Sequence, residues 1–230
     1  MTKGIIISAP SSASGKTTIT LGLLRALKRA GCDIGSAKSG PDYIDPRFHA
    51  AASGSECVNL DAWAMSPDRI RALATSSTPL IIEGAMGLFD GAPPNGKGAT
   101  ADLARILGLP VVLVLDVASQ AQSVAAVALG FANLQPDVKI AGLILNKVGS
   151  PRHEAMLRGA LDKIGIPVLG AVYRQTHLET PSRHLGLVQA QERDDLEQFL
   201  NTAADIVEDA IDIEQLMALM TASDTDGASN

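Results

Sequence analysis

Aromatic side chains are scarce in this sequence. They make up 3% of its 230 residues, whereas hydrophobic residues together make up 46%. The core must therefore be built from alanine, valine, isoleucine and leucine, which favours parallel strands covered by helices. Long apolar runs are absent too, since none approaches the ~20 residues that a membrane span needs. We therefore expect one sizeable α/β domain, or one domain plus an appendage, with no membrane partner.

Positive charge and cysteine are also in short supply. The net charge of -6 and the pI near 5.2 argue against a nucleic-acid or anionic-membrane surface. The two cysteines, Cys32 and Cys57, have neither CxxC spacing nor an obvious metal partner, so we expect reduced thiols. The four histidines show no zinc-ligand spacing. Residues 1–4 enter a strand without the features of a secretory signal, which favours a cytoplasmic location.

A phosphate-binding loop is predicted where the first strand meets the first helix. Residues 5–7 are apolar, residues 8–14 are small, and Gly-Lys-Thr-Thr opens the helix. In such a loop, backbone N–H groups and the helix N-terminus bind phosphate, Lys16 reaches the β- and γ-phosphates of ATP, and the Thr17 hydroxyl ligates Mg²⁺. Pro10 stands where the usual pattern has its first glycine, and an ordinary strand-to-helix turn is the alternative. The predicted nucleotide-binding residues are Ser12, Ala13, Ser14, Gly15, Lys16, Thr17 and Thr18.

Strands and helices alternate along most of the chain. The predicted strands are residues 4–8, 33–38, 79–83, 111–116, 139–145 and 167–173. The predicted helices are residues 15–30, 100–107, 121–134 and 151–163, followed by a charged helical stretch over 192–220. This alternation predicts a doubly wound, mainly parallel sheet with helices on both faces. Ligands of such sheets gather at the carboxyl ends of the strands.

Two acids at strand ends could complete a magnesium site with Thr17. Glu83 and Asp116 each close an apolar strand, and we prefer Glu83 because the glycines after it open space around it. Asp45 is the predicted second acid. Its alternative is a helix N-cap, because Pro46 suits the first turn of a helix and aspartate suits the position before it.

Further polar residues follow the same predicted edge. Lys38 ends the second strand, where it could hold an anionic substrate group or the transferring phosphoryl group; the alternative is a solvated strand end. Tyr43 lies in a loop and is expected to be exposed. Asp42 and Asp90 are further candidate acids in loops at this edge; the alternative is that each only stabilises a turn rich in glycine and proline. Asn146, after another strand, could read the nucleotide base or cap a helix.

Several longer motifs of the chain are similar to those of one enzyme family. They are Gly40–Pro46 with His49, Asn59–Asp61, Glu83–Gly91, Leu143–Val148 and Arg183–Leu187. From about residue 3 to 192 the chain closely resembles the synthetase domain of cobyrinate or hydrogenobyrinate a,c-diamide synthases. The wider relatives are the dethiobiotin synthetases, whose phosphate loop likewise carries its first small residue one place early.

The resemblance implies a ligase of cobalamin biosynthesis. Such enzymes amidate two peripheral carboxylates of a corrinoid, using ATP and glutamine, through an acyl phosphate. Carried over by position, the metal ligands are Thr17, Asp45 and Glu83, and Asn146 contacts adenine. The implied catalytic residues are Lys16, Lys38, Asp42, Asp45 and Asp90. The implied substrate-binding residues are Lys38, Asp42, Tyr43, Ile44, Met86, Gly87 and Asp90.

The family pattern also includes a second, glutamine-hydrolysing domain with a cysteine nucleophile. Neither Cys32 nor Cys57 sits in a Gly-x-Cys-Gly-Gly-like elbow, so we expect ammonia to come from a domain outside this chain or from a separate chain. The predicted division is a synthetase domain over 1–192, a helical connection over 193–220 and a polar tail or linker over 221–230.

Two other functions are compatible with a phosphate loop in this fold. One is a dethiobiotin-type ATP-dependent carboxylase. The other is a partitioning or scaffold ATPase, although those proteins usually carry an extra lysine where this chain has Ser11. A homodimer is compatible with each of these functions.

Overall fold

A computed structural model describes residues 2–174 and 195–221 of the protein. Within these residues seven parallel strands form one sheet in the order β3-β2-β4-β1-β5-β6-β7. The strands are β1 (Gly4–Ser8), β2 (Gly35–Ser39), β3 (Cys57–Leu60), β4 (Leu80–Glu83), β5 (Val111–Asp116), β6 (Ile140–Val148) and β7 (Val168–Tyr173). The predicted doubly wound parallel sheet is confirmed.

Helices cover both faces of the sheet. They are α1 (Lys16–Arg29), α2 (Asp45–Ser53), α3 (Pro67–Ala74), α4 (Thr100–Leu107), α5 (Val124–Leu134), α6 (Pro151–Leu161), α7 (Leu196–Ala210) and α8 (Ile213–Thr221), with a short 3₁₀ turn at Asp162–Ile164. The sequence analysis missed α2, β3 and α3. It also ended the sixth strand too early, because β6 continues through the polar pair at 146–147 to Val148.

The core consists of two apolar layers, one on each side of the sheet. Ile5 and Ile7 on β1 point into the layer beneath α1, α7 and α8, while Ile6 between them points into the layer beneath α3 to α6. This alternation follows from the two-residue period of a strand. All three side chains are fully buried, so the central strand holds the phosphate loop at a fixed place.

The C-terminal stretch expected to form one helical connection is two helices packed on this domain. α7 lies along α1, and Phe199, Leu200 and Val207 enter the core layer that α1 covers. The chain turns at Ile211, and Asp212 N–H donates to the Leu169 carbonyl of β7 at 2.8 Å. The apolar faces of α7 and α8 are thus part of the core that covers one side of the sheet.

The remaining expectations for the C-terminal half fall outside the described residues. They are the domain boundary at 192, the motif at 183–187 and all of the tail after 221. In the part of the chain that the structure describes, none of the helices combines the length and apolar character needed to cross a membrane.

Candidate active site

The phosphate loop follows β1 and ends where Gly15 enters α1. The Lys16 ammonium donates to the Ser11 carbonyl at 2.9 Å and to the Met86 carbonyl, in the loop after β4, at 2.6 Å. Ala13 and Met86 have positive φ angles of 62° and 51°. A side-chain-bearing residue adopts this left-handed backbone only at a cost, and such strain is concentrated at functional sites. The two hydrogen bonds of Lys16 connect the phosphate loop to the loop after β4, and each of these loops contains one non-glycine residue with a positive φ.

A buried ionic cluster lies directly behind the phosphate loop. Thr17 Oγ1 donates to Glu83 Oε1 at 2.6 Å, and Lys38 Nζ donates to the same oxygen at 2.9 Å. Lys38 Nζ also lies 2.7 Å from Asp45 Oδ2. The side chains of Lys38 and Glu83 are only 3% and 1% exposed, so the alternative of Lys38 as a solvated strand end is wrong. Four residues from four separate segments thus meet at one point.

Strand register explains why Lys38 and Glu83 meet. β2 and β4 are adjacent, and Lys38 pairs with Glu83 in the parallel register between them. Ile7 of β1 pairs with Glu83 on the other side, one residue before the strand ends at Ser8. The sheet itself therefore delivers the carboxylate of Glu83 to the start of the phosphate loop.

The charges of this cluster depend on one another. Burial favours the neutral form of Glu83, but Lys38, His49 and the Thr17 hydroxyl outweigh it and hold the pKa of Glu83 well below its ordinary value. Burial also lowers the pKa of Lys38, and the charges of Glu83 and Asp45 raise it above its ordinary value. The pKa of Asp45 is raised, first by burial and then by the charge of Glu83, against the pull of Lys38.

His49 is a member of the cluster that the sequence analysis did not assign to the site. It is fully buried, and its Nε2 lies 2.5 Å from Glu83 Oε2, while Cys57 Sγ lies 3.4 Å from Nδ1. Burial alone lowers the pKa of His49, yet Cys57 and Glu83 raise it to about 9. The signal in the sequence was helical spacing, since Asp45 and His49 are four residues apart and share one face of α2.

The turn before α2 is held by Asp42. Its Oδ1 accepts the N–H groups of Ile44 and Asp45 at 2.8 and 3.0 Å, and the Asn59 side-chain amide donates to its carbonyl at 2.8 Å. Asp45 is the first residue of α2, and its carboxylate faces Lys38. The alternative that made Asp45 the helix cap is therefore wrong, because no side chain caps α2 and the Asp45 carboxylate pairs with Lys38 in the cluster.

An open cleft of about 290 Å³ lies beside the cluster, at the carboxyl ends of β2 and β4. Its lining residues are Ser39, Gly40, Pro41, Asp42, Tyr43, Ile44 and Ala85. Tyr43 is 85% exposed, as predicted. Asp90 is exposed and accepts the Gly87 N–H at 3.0 Å, which shapes the loop after β4. Of the predicted substrate residues, Asp42, Tyr43 and Ile44 line this cleft, whereas Met86, Gly87 and Asp90 lie in the loop after β4 and Lys38 lies in the buried cluster.

Asn146 approaches the phosphate loop from the other side. Its side-chain amide donates to the Ser14 carbonyl at 2.9 Å, and a Cβ at Gly15 would lie 2.1 Å from the same amide nitrogen. In this structure Asn146 braces the loop, and its contact with adenine stays a prediction. Asp116 was the less favoured of the two candidate metal ligands. Its Oδ2 lies 2.5 Å from Lys147 Nζ, in an ion pair outside the cluster around Glu83.

The donor set fits a magnesium ion that shares its coordination with phosphate. Thr17 Oγ1, Glu83 Oε1 and Asp45 Oδ2 are hard oxygens that all lie within one or two hydrogen bonds of each other. Among the described residues no group of three or more His, Cys, Asp or Glu side chains forms a metal site by itself. Mg²⁺ commonly takes one or two carboxylates together with substrate phosphates and water, which this arrangement permits.

Comparison with known proteins places the chain among named relatives. It is 60% identical over 222 residues to the hydrogenobyrinate a,c-diamide synthase of Brucella anthropi, covering 94% of this chain and 51% of that protein. The corresponding synthase of Rhodobacter capsulatus is 53% identical, with 98% and 53% covered. The chain therefore spans about half the length of these curated relatives.

The fold and the family are recognised independently. A solved structure of chloroplast FtsY from Physcomitrella patens superposes with a TM-score of 0.59 at 16% identity, covering 96% of this chain and 66% of that one, which is a likeness of fold alone. The sequence also matches a family of nucleotide-binding domains over residues 5–188, and this segment contains the phosphate loop and the whole ionic cluster. The chain belongs to the CobQ/CobB/MinD/ParA nucleotide binding domain family.

Proposed function

We propose that this chain is the synthetase part of a corrinoid a,c-diamide synthase, an ATP-dependent ligase of cobalamin biosynthesis. It would convert the a and c side-chain carboxylates of hydrogenobyrinic or cobyrinic acid into amides through acyl phosphates. The relatives' names support the substrate. The observation that carries the proposal is a pair of hydrogen bonds: Lys16 donates to the Met86 carbonyl, and Thr17 donates to Glu83. These bonds connect the phosphate loop to β4 and to the loop after it, which lies at the cleft.

The first step is transfer of the γ-phosphoryl group of ATP to a substrate carboxylate. A carboxylate oxygen forms the new bond to phosphorus, the bond to the β-phosphate oxygen breaks, and ADP leaves. This reaction calls mainly for positioning and charge neutralisation. The N–H groups of the phosphate loop and the N-terminus of α1 hold the phosphates, and Lys16 would turn from its carbonyl partners to the phosphate oxygens.

Thr17, Glu83 and Asp45 would hold Mg²⁺ beside these phosphates. The ion supplies neutralisation of the negative charge on the β- and γ-phosphate oxygens. Lys38 holds the Glu83 and Asp45 carboxylates side by side, although both are buried, and its charge favours the ionised form of each. Lys38 therefore holds the two carboxylates in position to bind Mg²⁺ and adds positive charge near the reacting phosphate.

In the second step ammonia attacks the acyl carbon, the bond to the phosphate oxygen breaks, and the nitrogen loses a proton. Asp42 and Asp90 lie on the two loops at the cleft, and each uses a carboxylate oxygen to shape its loop. Their charge can orient the attacking ammonia and balance the positive charge that develops on it. Ile44, Tyr43, Met86 and Gly87 would complete the contact with substrate.

Glutamine would supply the ammonia through a glutaminase region beyond this chain or through a separate chain. Both cysteines described here are free thiols, with Cys32 exposed and Cys57 against His49. We also propose that the chain is divided at residues 192 and 220, that the protein is cytoplasmic and that it forms a homodimer.

Turnover by the purified chain tests the function. ADP release should require both hydrogenobyrinic acid and ammonium in the presence of Mg²⁺, and mass spectrometry should find the diamide. A diamine with bicarbonate serves as the control substrate for a dethiobiotin-type carboxylase, and a change of oligomeric state with ATP alone would indicate a partitioning ATPase. Folded protein that binds ATP but turns over no macrocycle would contradict the proposal.

Two variants separate nucleotide binding from chemistry. We expect Lys16→Ala to abolish nucleotide binding, because it removes the cation that reaches the β- and γ-phosphates. Asp45→Asn should leave nucleotide binding largely intact and remove turnover. Calorimetric titration with ATP and the ADP-release assay measure the two effects. An equal loss of ATP affinity in both variants would contradict this division of roles.

A further inference from the structure

The cleft is too small for the whole substrate of the proposed reaction. Its volume of about 290 Å³ is at the lower limit of the ~300–1,000 Å³ typical of pockets for drug-sized ligands. A corrinoid ring with its carboxylate arms is larger than such ligands. If the proposed function is correct, the cleft holds one carboxylate arm and the ring must lie on the surface outside it.

That surface carries an unusual share of exposed apolar side chains. Of the six large hydrophobic side chains that are exposed among the described residues, three follow adjacent strands at this edge: Tyr43 after β2, Trp63 after β3 and Met86 after β4. The other three are Leu129, Leu134 and Met156 on α5 and α6. Adjacent strands lie ~4.8 Å apart, so these three strand ends span about 10 Å, the scale of a macrocycle.

Trp63 is the residue of this group that sequence reasoning missed. Its indole side chain is 62% exposed, yet its backbone is fixed on two sides. The buried Asp61 accepts the N–H groups of Trp63 and Ala64 at 2.9 and 3.1 Å. Gly98 presses against it so closely that a Cβ there would lie 2.6 Å from Trp63 Cβ. An aromatic side chain on a fixed backbone can bury apolar area at little cost in conformational entropy.

The turn that carries Trp63 is joined to the substrate loop. The Asn59 side chain donates to the Asp42 carbonyl at 2.8 Å, and Gly40 N–H donates to the Leu60 carbonyl at 2.9 Å. The end of β3 and the cleft wall are therefore one connected unit. A ring resting on Trp63 would keep a fixed position relative to the Asp42 loop.

We propose that Trp63, with Tyr43 and Met86, forms a platform that binds the apolar face of the substrate macrocycle while the cleft holds the reacting carboxylate. This inference rests on the proposed function and adds a residue that determines substrate specificity. Trp63 contributes to binding of the ring and not to binding of ATP. It makes the site selective for large ring carboxylates over small ones.

Trp63 is the chain's single tryptophan, so its fluorescence reports on this position alone. Hydrogenobyrinic acid bound to the wild-type protein should shield Trp63 from quenching by acrylamide, whereas ATP alone should not. In Trp63→Ala the dissociation constant and KM for the macrocycle should rise about tenfold, while ATP affinity and kcat at saturating macrocycle stay unchanged. Trp63→Phe should recover most of the affinity.

Leu134→Ala is the matched control, because Leu134 is 65% exposed but ends α5 at the opposite edge of the sheet. It should bind the macrocycle like the wild type. Normal turnover together with full acrylamide access to Trp63 and an unchanged KM in Trp63→Ala would overturn the platform and leave the proposed function standing. Failure of the wild type to bind or turn over the macrocycle would overturn both proposals.

Discussion

Replacing Lys38 with methionine tests how strongly its buried ammonium holds the ionic cluster together. Methionine keeps a long side chain, but it leaves Glu83 and Asp45 buried without the ammonium that lies 2.9 and 2.7 Å from their oxygens. Removing one member of a buried ion pair typically costs about 3–5 kcal/mol, because the remaining charge is not solvated. At pH 7 we expect the free energy of unfolding of Lys38→Met to fall by about that amount.

The effect should depend on pH in a defined direction. In the wild type, the lowered pKa of Glu83 stabilises the fold at any pH above the pKa that Glu83 has in the unfolded chain. This stability is lost as the pH falls through the pKa of Glu83 in the folded protein. The raised pKa of Lys38 contributes stability below its unfolded value, which is lost only as pH rises through the folded value. Without Lys38, Glu83 and Asp45 can relieve the repulsion between their two charges by protonation. The deficit of Lys38→Met should therefore shrink as the pH falls from about 8 towards the ordinary carboxyl range.

Urea unfolding of both proteins across this pH range measures the deficit. Lys97→Met is the matched control, because Lys97 is exposed. The double variant Lys38→Met with Glu83→Gln should be less destabilised than the sum of the single variants, since each removes the other's partner. A deficit below about 1 kcal/mol, the size expected of a surface pair, and the same at every pH would refute the reasoning.

Two further predictions concern the histidine of the cluster and the C-terminal helices. His49→Ala removes the contact to Glu83 at 2.5 Å and should weaken Mg²⁺-dependent nucleotide binding about 10–100-fold, with partial recovery in His49→Gln; equal Mg²⁺ titrations would contradict this role. Gly22→Ala places a Cβ 2.5 Å from the Ala203 carbonyl oxygen and should destabilise the domain by about 1–3 kcal/mol in thermal unfolding. Gly130→Ala, with open space around it, should instead stabilise α5 by up to about 1 kcal/mol, and a shift of the same sign in both would be evidence against the close packing of α1 on α7.

The order of predicted strands and helices was readable because the central strands are continuous apolar runs. β5, for example, is Val-Val-Leu-Val-Leu followed by an acid, a pattern of strands buried on both faces. β3 has four residues, three of them only partly buried, and lies at the edge of the sheet. Its pattern is too short to distinguish from a loop.

The residues of the candidate site were predictable, but their partners were not. Chain order shows that Lys38 and Glu83 both end strands. Only the spatial order, which places β2 beside β4 with β1 on the other side, shows that they touch. The role of Asp42 could not be assigned without knowing where α2 begins, because either Asp42 or Asp45 could accept the backbone N–H groups of this turn. His49 went unassigned because α2, the helix that places it beside Asp45, was not predicted.

The central claim is that the joined phosphate loop and cleft activate a substrate carboxylate by phosphorylating it. The most direct measurement follows carboxylate oxygen atoms through the reaction. Hydrogenobyrinic acid labelled with oxygen-18 in its carboxylates is incubated with the protein, ATP, Mg²⁺ and ammonium, and the released phosphate is analysed by mass spectrometry. An acyl phosphate intermediate predicts one labelled oxygen in the phosphate for each amide formed. Amide formation with unlabelled phosphate would contradict it.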